Sequence, residues 1–152
     1  MNVQYPLTVY YDASCALCST EIQNIKIHDS GQHLQLVDCS APGFDDTPYR
    51  PDGVTRQMMM ACLHVRTGNG EWVKGVPAFE LLYRTAGMPL LANLWGGKFT
   101  RPVFERIYPW VARHRRAISW TGLPLLFMLW GKCEARRASG RSRQCHDGKC
   151  SI

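Results

Sequence analysis

Residues 7–18 read Leu-Thr-Val-Tyr-Tyr-Asp-Ala-Ser-Cys-Ala-Leu-Cys, the strongest structural signal in this chain of 152 residues. Residues 7–11 are apolar, aromatic or β-branched throughout, which predicts a central strand buried on both faces. Cys15 and Cys18 follow one helical turn apart, where a helix-like pattern begins. The start of a helix offers unpaired N–H groups and the positive end of a dipole, and both favour a thiolate. The stretch therefore predicts a redox-reactive dithiol at a strand-to-helix turn.

The spacing of these residues also predicts their roles. Cys15 lies nearer the start of the helix, so we expect it to be the more exposed sulfur and the nucleophile, with Cys18 as the resolving thiol. Asp12 can either cap the helix or accept the proton of Cys18, and both roles stay open at this point. We take Cys15, Cys18 and Asp12 as the candidate catalytic residues.

The pattern after this turn alternates between helix and strand. A helix whose apolar side includes Cys18, Ile22 and Ile25 should end near residue 30, and a strand over 34–37 should pair parallel to the first. A loop over 38–53 follows. Beyond it we predict a short helix over 54–59, an antiparallel hairpin of strands over 61–65 and 71–74, and a helix from Pro77 to Gly87. This order predicts an α/β, thioredoxin-like fold with a mixed sheet of about four strands flanked by helices.

The chain is long enough for one domain with an appendage. We expect a thioredoxin-like core over 1–90, a helical extension over 91–131 that packs on the core, and a flexible basic tail with cysteines over 132–152. The extension should pack through Phe104, Ile107, Tyr108 and Val111.

Several blocks of the sequence resemble the DCC family of thiol-disulfide oxidoreductases, named for the pattern Asp-x-x-Cys-x-x-Cys. The similar blocks are residues 9–18, 36–38, 74–79 and 107–115. The resemblance implies a thioredoxin-like fold and a role in disulfide exchange, and it carries the motif over to Asp12, Cys15 and Cys18. The glycine that usually follows the aspartate is Ala13 here, which leaves both thiols in place.

The chemistry of such a pair predicts a two-step exchange. The Cys15 thiolate attacks a disulfide of a protein or small molecule, a mixed disulfide forms, and Cys18 displaces the reduced product. This exchange requires no cofactor and no metal, but a separate electron donor must restore the dithiol. Thioredoxins place a cis-proline before the strand that faces the dithiol, whereas this chain has Met58–Met60. We interpret these methionines as core residues, with an apolar wall near Cys15 as the alternative.

The other cysteines allow a different reading of the motif. Cys-x-x-Cys is also a zinc half-site, so the chain can instead be a zinc-stabilised binding module. The candidate partners are Cys133, Cys145, His146 and Cys150. The three tail cysteines can also form a separate metal site or a disulfide, or remain thiols without a role. Cys39 and Cys62 we interpret as small buried hydrophobic residues. The N-terminus lacks the pattern of a secretory signal, so we expect a cytoplasmic protein, in which structural disulfides are rare.

Charge is concentrated in the last third of the chain. Residues 101–152 carry eleven of the 18 Lys and Arg residues but three of the 12 Asp and Glu residues. The apolar run over 118–130 lies between basic segments and is too short to span a bilayer, which suits contact with an anionic membrane surface. The alternative to an enzyme is therefore a basic adaptor on membrane or RNA, although the absence of a recognition motif makes a nucleic-acid partner unlikely in our interpretation.

Overall fold

The computed structural model describes residues 3–119, where a mixed four-stranded sheet lies between two layers of helix. The elements in chain order are β1 (Leu7–Tyr11), α1 (Ala16–His28), β2 (Leu34–Asp38), a 3-10 helix (Thr47–Asp52), α2 (Arg56–Ala61), β3 (His64–Arg66), β4 (Trp72–Lys74), α3 (Val76–Thr85), α4 (Pro89–Gly96) and α5 (Arg101–Ser119). The tail expected over 132–152 lies outside the described residues.

The sheet has the strand order β2-β1-β3-β4. β1 pairs parallel with β2, and Val9 lies opposite Leu36. β1 also pairs antiparallel with β3, and there Val9 lies opposite Val65. β4 closes the far edge as the second strand of an antiparallel hairpin with β3. The predicted thioredoxin-like, α/β fold is thereby confirmed.

β1 is buried on both faces because its alternating side chains enter two different clusters. Val9 packs with Ile25 of α1 and Leu82 of α3 on one face. Tyr10 packs with Met59 of α2 on the other. A strand between two apolar layers explains why its sequence is apolar throughout instead of alternating.

The largest local difference from the sequence prediction lies between α2 and β3. α2 extends to Ala61, so β3 begins at His64, three residues later than predicted. The Thr55 hydroxyl accepts a hydrogen bond from the Met58 amide at 3.4 Å and fixes the start of α2. The loop predicted over 38–53 contains the 3-10 helix.

α3 begins as predicted, with Pro77 in its first turn. Gly75, the residue before it, has φ +66°, a conformation that favours glycine. Gly87 at φ +73° follows the end of the helix.

Aromatic rings attach α4 and α5 to α3. Phe79 stacks on Trp95 and Trp95 stacks on Phe104, each with ring centroids 4.6 Å apart. Tyr108 meets the edge of Phe79 at 5.7 Å. Ile107, which we expected in this contact, is instead 49% exposed because it lies on the outer side of α5.

Candidate active site

The dithiol lies in the turn between β1 and α1. Tyr11 ends the strand, and Cys15 is the N-cap residue of α1, with φ −89° and ψ 110°. The Cys15 amide donates a hydrogen bond to the Asp12 carbonyl at 3.3 Å, and this bond closes a turn over residues 12–15. Both Cys15 and Cys18 are present as thiols.

The exposure of the two sulfur-bearing residues is the reverse of our prediction. Cys15 is 2% exposed, whereas Cys18 is half-buried and lines an open cavity. The expectation that Cys15 would be the more exposed residue was therefore wrong. The tight turn places the N-cap residue inside the protein, and the residue one helical turn later reaches the surface of the cavity.

The surroundings of the pair favour the protonated form of Cys18. A hydrogen bond to Cys15 raises the pKa of the Cys18 thiol, and burial and the charge of Cys15 raise that pKa further. A bond that raises an acid's pKa is one that its protonated form donates. Cys18 is therefore held in its thiol form, and Cys15, as the N-cap residue, lies at the positive end of the α1 dipole.

Asp12 does not cap α1, because its bonds are made elsewhere. One carboxylate oxygen, Oδ1, accepts the Ser14 amide at 3.1 Å and the Ser14 hydroxyl at 2.5 Å. The other, Oδ2, accepts a hydrogen bond from Arg115 at 2.9 Å. The N-cap residue Cys15 makes no side-chain capping hydrogen bond. The capping role considered for Asp12 is thereby corrected, and the carboxylate instead ties the dithiol turn to α5.

Arg115 is a residue of the site that the sequence interpretation missed. It forms an ion pair with Asp12 at 2.9 Å, also donates to the Met60 carbonyl, and its side chain is 12% exposed. Asp12 raises the pKa of Cys18 and Arg115 lowers it, so the ion pair reduces the effect of a carboxylate beside the thiols. In the sequence, Arg115 stands in a basic run over 113–116. Its spacing from the apolar Val111 and Ile118, which places all three on one side of a helix, was the available signal.

A cavity of about 550 Å³ opens beside Cys18, between α1, α3, α4 and α5. Its walls are mostly aliphatic and aromatic. The lining includes Leu17, Ile22, Met59, Leu63, Phe79, Leu91, Trp95, Phe104, Tyr108, Val111 and Ala112. Met59 is buried in the core, as we interpreted the methionine run, and it also contacts the cavity. Met58 is instead 37% exposed, so the core interpretation is wrong for that residue.

Glu21 is a second missed residue, one turn after Cys18 on the same side of α1. It lines the cavity and accepts a hydrogen bond from the Tyr83 hydroxyl. Burial raises the pKa of the Glu21 carboxyl from 4.5 to about 7. The spacing of three residues from Cys18 could have indicated a shared helix side, but the raised pKa depends on residues distant in the sequence.

The remaining cysteines have separate surroundings. Cys39 is fully buried, as expected, and its thiol lies 3.7 Å from the Met59 sulfur. Cys62 is only half-buried and lines the cavity, which differs from the buried residue we expected. Across the part of the chain that the structure describes, no three His, Cys, Asp or Glu residues gather as a metal site. The tail candidates for zinc, Cys133, Cys145, His146 and Cys150, lie outside that part.

Comparisons with known proteins identify the family of the chain. A family profile described as DCC1-like thiol-disulfide oxidoreductase matches residues 9–121. An uncharacterized chloroplastic protein of Arabidopsis thaliana is 26% identical over 148 residues, which cover 93% of this chain and 65% of that protein. No solved structure matches the chain. Because the profile covers well over half of the sequence, the chain belongs to the DCC1-like thiol-disulfide oxidoreductase family.

Proposed function

We propose that the chain exchanges thiols and disulfides through Cys15 and Cys18. The observation that carries the proposal is the side-chain hydrogen bond between the two cysteines, which brings the sulfurs close together and raises the pKa of Cys18. The family to which the chain belongs supports the same class of reaction. Reduction of a disulfide in a protein or in a small molecule is the activity that we expect such a pair to supply.

The proposed reaction has two steps. The Cys15 thiolate attacks one sulfur of a substrate disulfide, the substrate S–S bond breaks, and the departing thiolate takes up a proton. Cys18 then loses its proton and attacks the Cys15 sulfur of the mixed disulfide, which releases the second product thiol. Two electrons pass to the substrate, the protein ends with a Cys15–Cys18 disulfide, and a separate electron donor restores the dithiol.

The burial of Cys15 restricts how a substrate arrives. Cys15 is 2% exposed and is not part of the cavity lining, whereas Cys18 is part of it. We therefore propose that the disulfide approaches through the cavity. The Asp12–Arg115 ion pair holds α5 against the dithiol turn and so keeps this route in place. A proton-accepting role for Asp12 toward Cys18 remains part of the proposal.

Trapping of the mixed disulfide tests the order of attack. With a disulfide substrate in single turnover, Cys18→Ser should accumulate a stable adduct on Cys15, and Cys15→Ser should accumulate none. Peptide mapping by mass spectrometry identifies the modified sulfur. An adduct on Cys18 in the Cys15→Ser protein would reverse the assigned order, and no adduct in either variant would reject exchange by this pair.

We also propose a peripheral contact with anionic membranes through the basic last third of the chain. Trp110 is 60% exposed on α5, and Arg113 and Arg116 are exposed nearby. Within residues 3–119 no helix is both long and apolar enough to cross a membrane. Sedimentation with anionic vesicles should recover the protein at low salt, and zwitterionic vesicles should not. Equal recovery with both would reject the electrostatic contact.

A cytoplasmic location stays a prediction. The name of the Arabidopsis relative places that protein in the chloroplast. Imaging of a tagged full-length protein in its own cell tests the location directly.

A further inference from the structure

The cavity beside Cys18 has the size and shape of a small-molecule site. Its volume is about 550 Å³, within the range of roughly 300–1,000 Å³ that is typical of ligand pockets. Four helices contribute to its walls, and the stacked rings of Phe79, Trp95 and Phe104 form one side. The proposed exchange chemistry takes place at the edge of this cavity, since Cys18 is part of its lining.

The charged and titratable groups that face the cavity largely compensate one another. Asp12 is paired with Arg115. Burial raises the pKa of Glu21 to about 7, and its carboxyl accepts the Tyr83 hydroxyl. The remaining titratable side chains in the lining are Tyr11, Cys18, Cys62 and Tyr108. At a pH below 7, where Glu21 is protonated, the walls therefore offer no surplus charge to a charged substrate.

The neutral groups remain neutral because of their burial. The hydrogen bond to Cys15 and burial raise the pKa of Cys18, and burial raises the pKa of Cys62 and of Tyr108. The Tyr108 oxygen accepts the Leu63 amide at 3.0 Å, so its own hydrogen remains to be donated. A charged ligand entering this cavity would lose its hydration without gaining a counter-charge.

The buried position of Cys15 also disfavours a disulfide on the surface of a folded protein. Such a disulfide would have to bring a convex surface to a sulfur whose residue is 2% exposed. A small molecule can instead enter the cavity and place its S–S bond against the dithiol.

We propose that the substrate class is a small, uncharged, apolar disulfide that binds in this cavity. The proposal rests on the function proposed above. One S–S bond of the ligand breaks, the Cys15–Cys18 disulfide forms, and the two protons and two electrons of the dithiol leave with two apolar thiols. The apolar halves of the ligand contact the aromatic wall, and the reacting sulfurs lie toward Cys18.

A comparison of two disulfides tests this class directly. Dibenzyl disulfide is apolar and bis(2-hydroxyethyl) disulfide is polar, and both are uncharged alkyl disulfides. Each single-turnover rate is divided by the rate of the same disulfide with dithiothreitol. We expect the normalised rate for dibenzyl disulfide to be at least about tenfold higher, equivalent to about 1.4 kcal/mol of apolar binding. Equal normalised rates would overturn the proposal.

Two variants of α5 test whether the preference for dibenzyl disulfide arises in the cavity. Ala112→Trp places a large ring in the cavity and should remove the preference for dibenzyl disulfide. Val103→Trp changes a side chain that is 54% exposed and not in the lining, so it should keep the preference. A preference unchanged by Ala112→Trp in a folded protein would place the binding site elsewhere.

A binding measurement separates this proposal from the proposed function. The Cys15→Ser/Cys18→Ser double variant cannot exchange, and dibenzyl sulfide has no bond to exchange. Ligand-observed NMR should detect binding of this sulfide to the double variant. The same measurement on a triple variant that also carries Ala112→Trp should detect no binding. Binding without any disulfide reduction by the wild type would reject the function and keep the ligand class. Reduction of both disulfides and insulin at equal normalised rates, without sulfide binding, would keep the function and reject the ligand class.

Discussion

The dithiol turn and helix α5 form the two sides of one site, but they contribute in different ways. The turn over residues 12–18 supplies the sulfurs from one continuous segment. α5 supplies Arg115, Tyr108 and part of the cavity wall from about 100 residues later. The reacting groups are thus local in sequence, whereas the groups that control their charge and access come from a distant helix.

The largest expected effect tests whether the chemistry is confined to the turn. Cys15→Ser and Cys18→Ser should each reduce multiple-turnover disulfide reduction to background, a loss of at least about 100-fold, because either one removes a sulfur that the cycle needs. Cys62→Ser, a change at another thiol in the cavity lining, should alter the rate by less than about twofold. A comparable loss in Cys62→Ser would show that the pair is not the sole redox centre.

The next effect tests the contribution of α5. Arg115→Met should destabilise the protein by about 3–5 kcal/mol, because it leaves the Asp12 carboxylate buried without its counter-charge. Urea unfolding measures the change. Arg113 is an exposed neighbour on the same helix. Arg113→Met should reduce the free energy of unfolding by less than about 0.5 kcal/mol.

A double variant provides the control for the Arg115 ion pair. Arg115→Met combined with Asp12→Asn should recover a large part of the loss, because the buried charge is gone. Fully additive destabilisation would contradict the coupling of the turn to α5.

Glu21 provides a pH-dependent test of the cavity. Its carboxyl has a pKa near 7 in the folded state and 4.5 in the reference state, so it is held protonated on folding. The contribution of this protonated carboxyl to the free energy of unfolding is fully present below pH 4.5 and is lost as the pH rises through 7. Glu21→Gln should therefore stabilise the protein by about 1–3 kcal/mol more at pH 8.5 than at pH 4. Chemical unfolding at both pH values measures it, and a constant difference would contradict the buried, neutral carboxyl.

The smallest effect concerns a single hydrogen bond. Tyr108→Phe removes the oxygen that accepts the Leu63 amide and should cost about 1 kcal/mol. Tyr5→Phe removes a hydroxyl from a ring that is 48% exposed and should cost close to nothing. Equal costs for the two variants would mean that this contact does not stabilise α5 on the core.

The sequence predicted elements whose signals are local. Three such signals depend on one segment each: the apolar run of β1, the spacing of Ile22 and Ile25 in α1, and Pro77 at the start of α3. Periodicity and turn residues describe such segments well. These signals were sufficient for the order of elements along the chain, for the parallel pair of β1 and β2, for the hairpin of β3 and β4, and for the position of the dithiol.

The predictions that failed required contacts between distant residues. The burial of Cys15 depends on how the turn folds back, and the role of Arg115 depends on which side of α5 meets Asp12. Ile107 and Arg115 lie on one helix, yet the first is exposed and the second is enclosed. Residue type alone does not distinguish these positions, because the packing partner decides them.

Redox titration of the full chain tests the central claim most directly. The protein is equilibrated in buffers of defined thiol-disulfide potential, alkylated, and mapped by mass spectrometry. We predict that Cys15 and Cys18 convert together between dithiol and disulfide as one two-electron couple, with a midpoint between roughly −270 and −120 mV, while Cys39 and Cys62 stay reduced. Two thiols that remain separately alkylated at every potential would contradict the account.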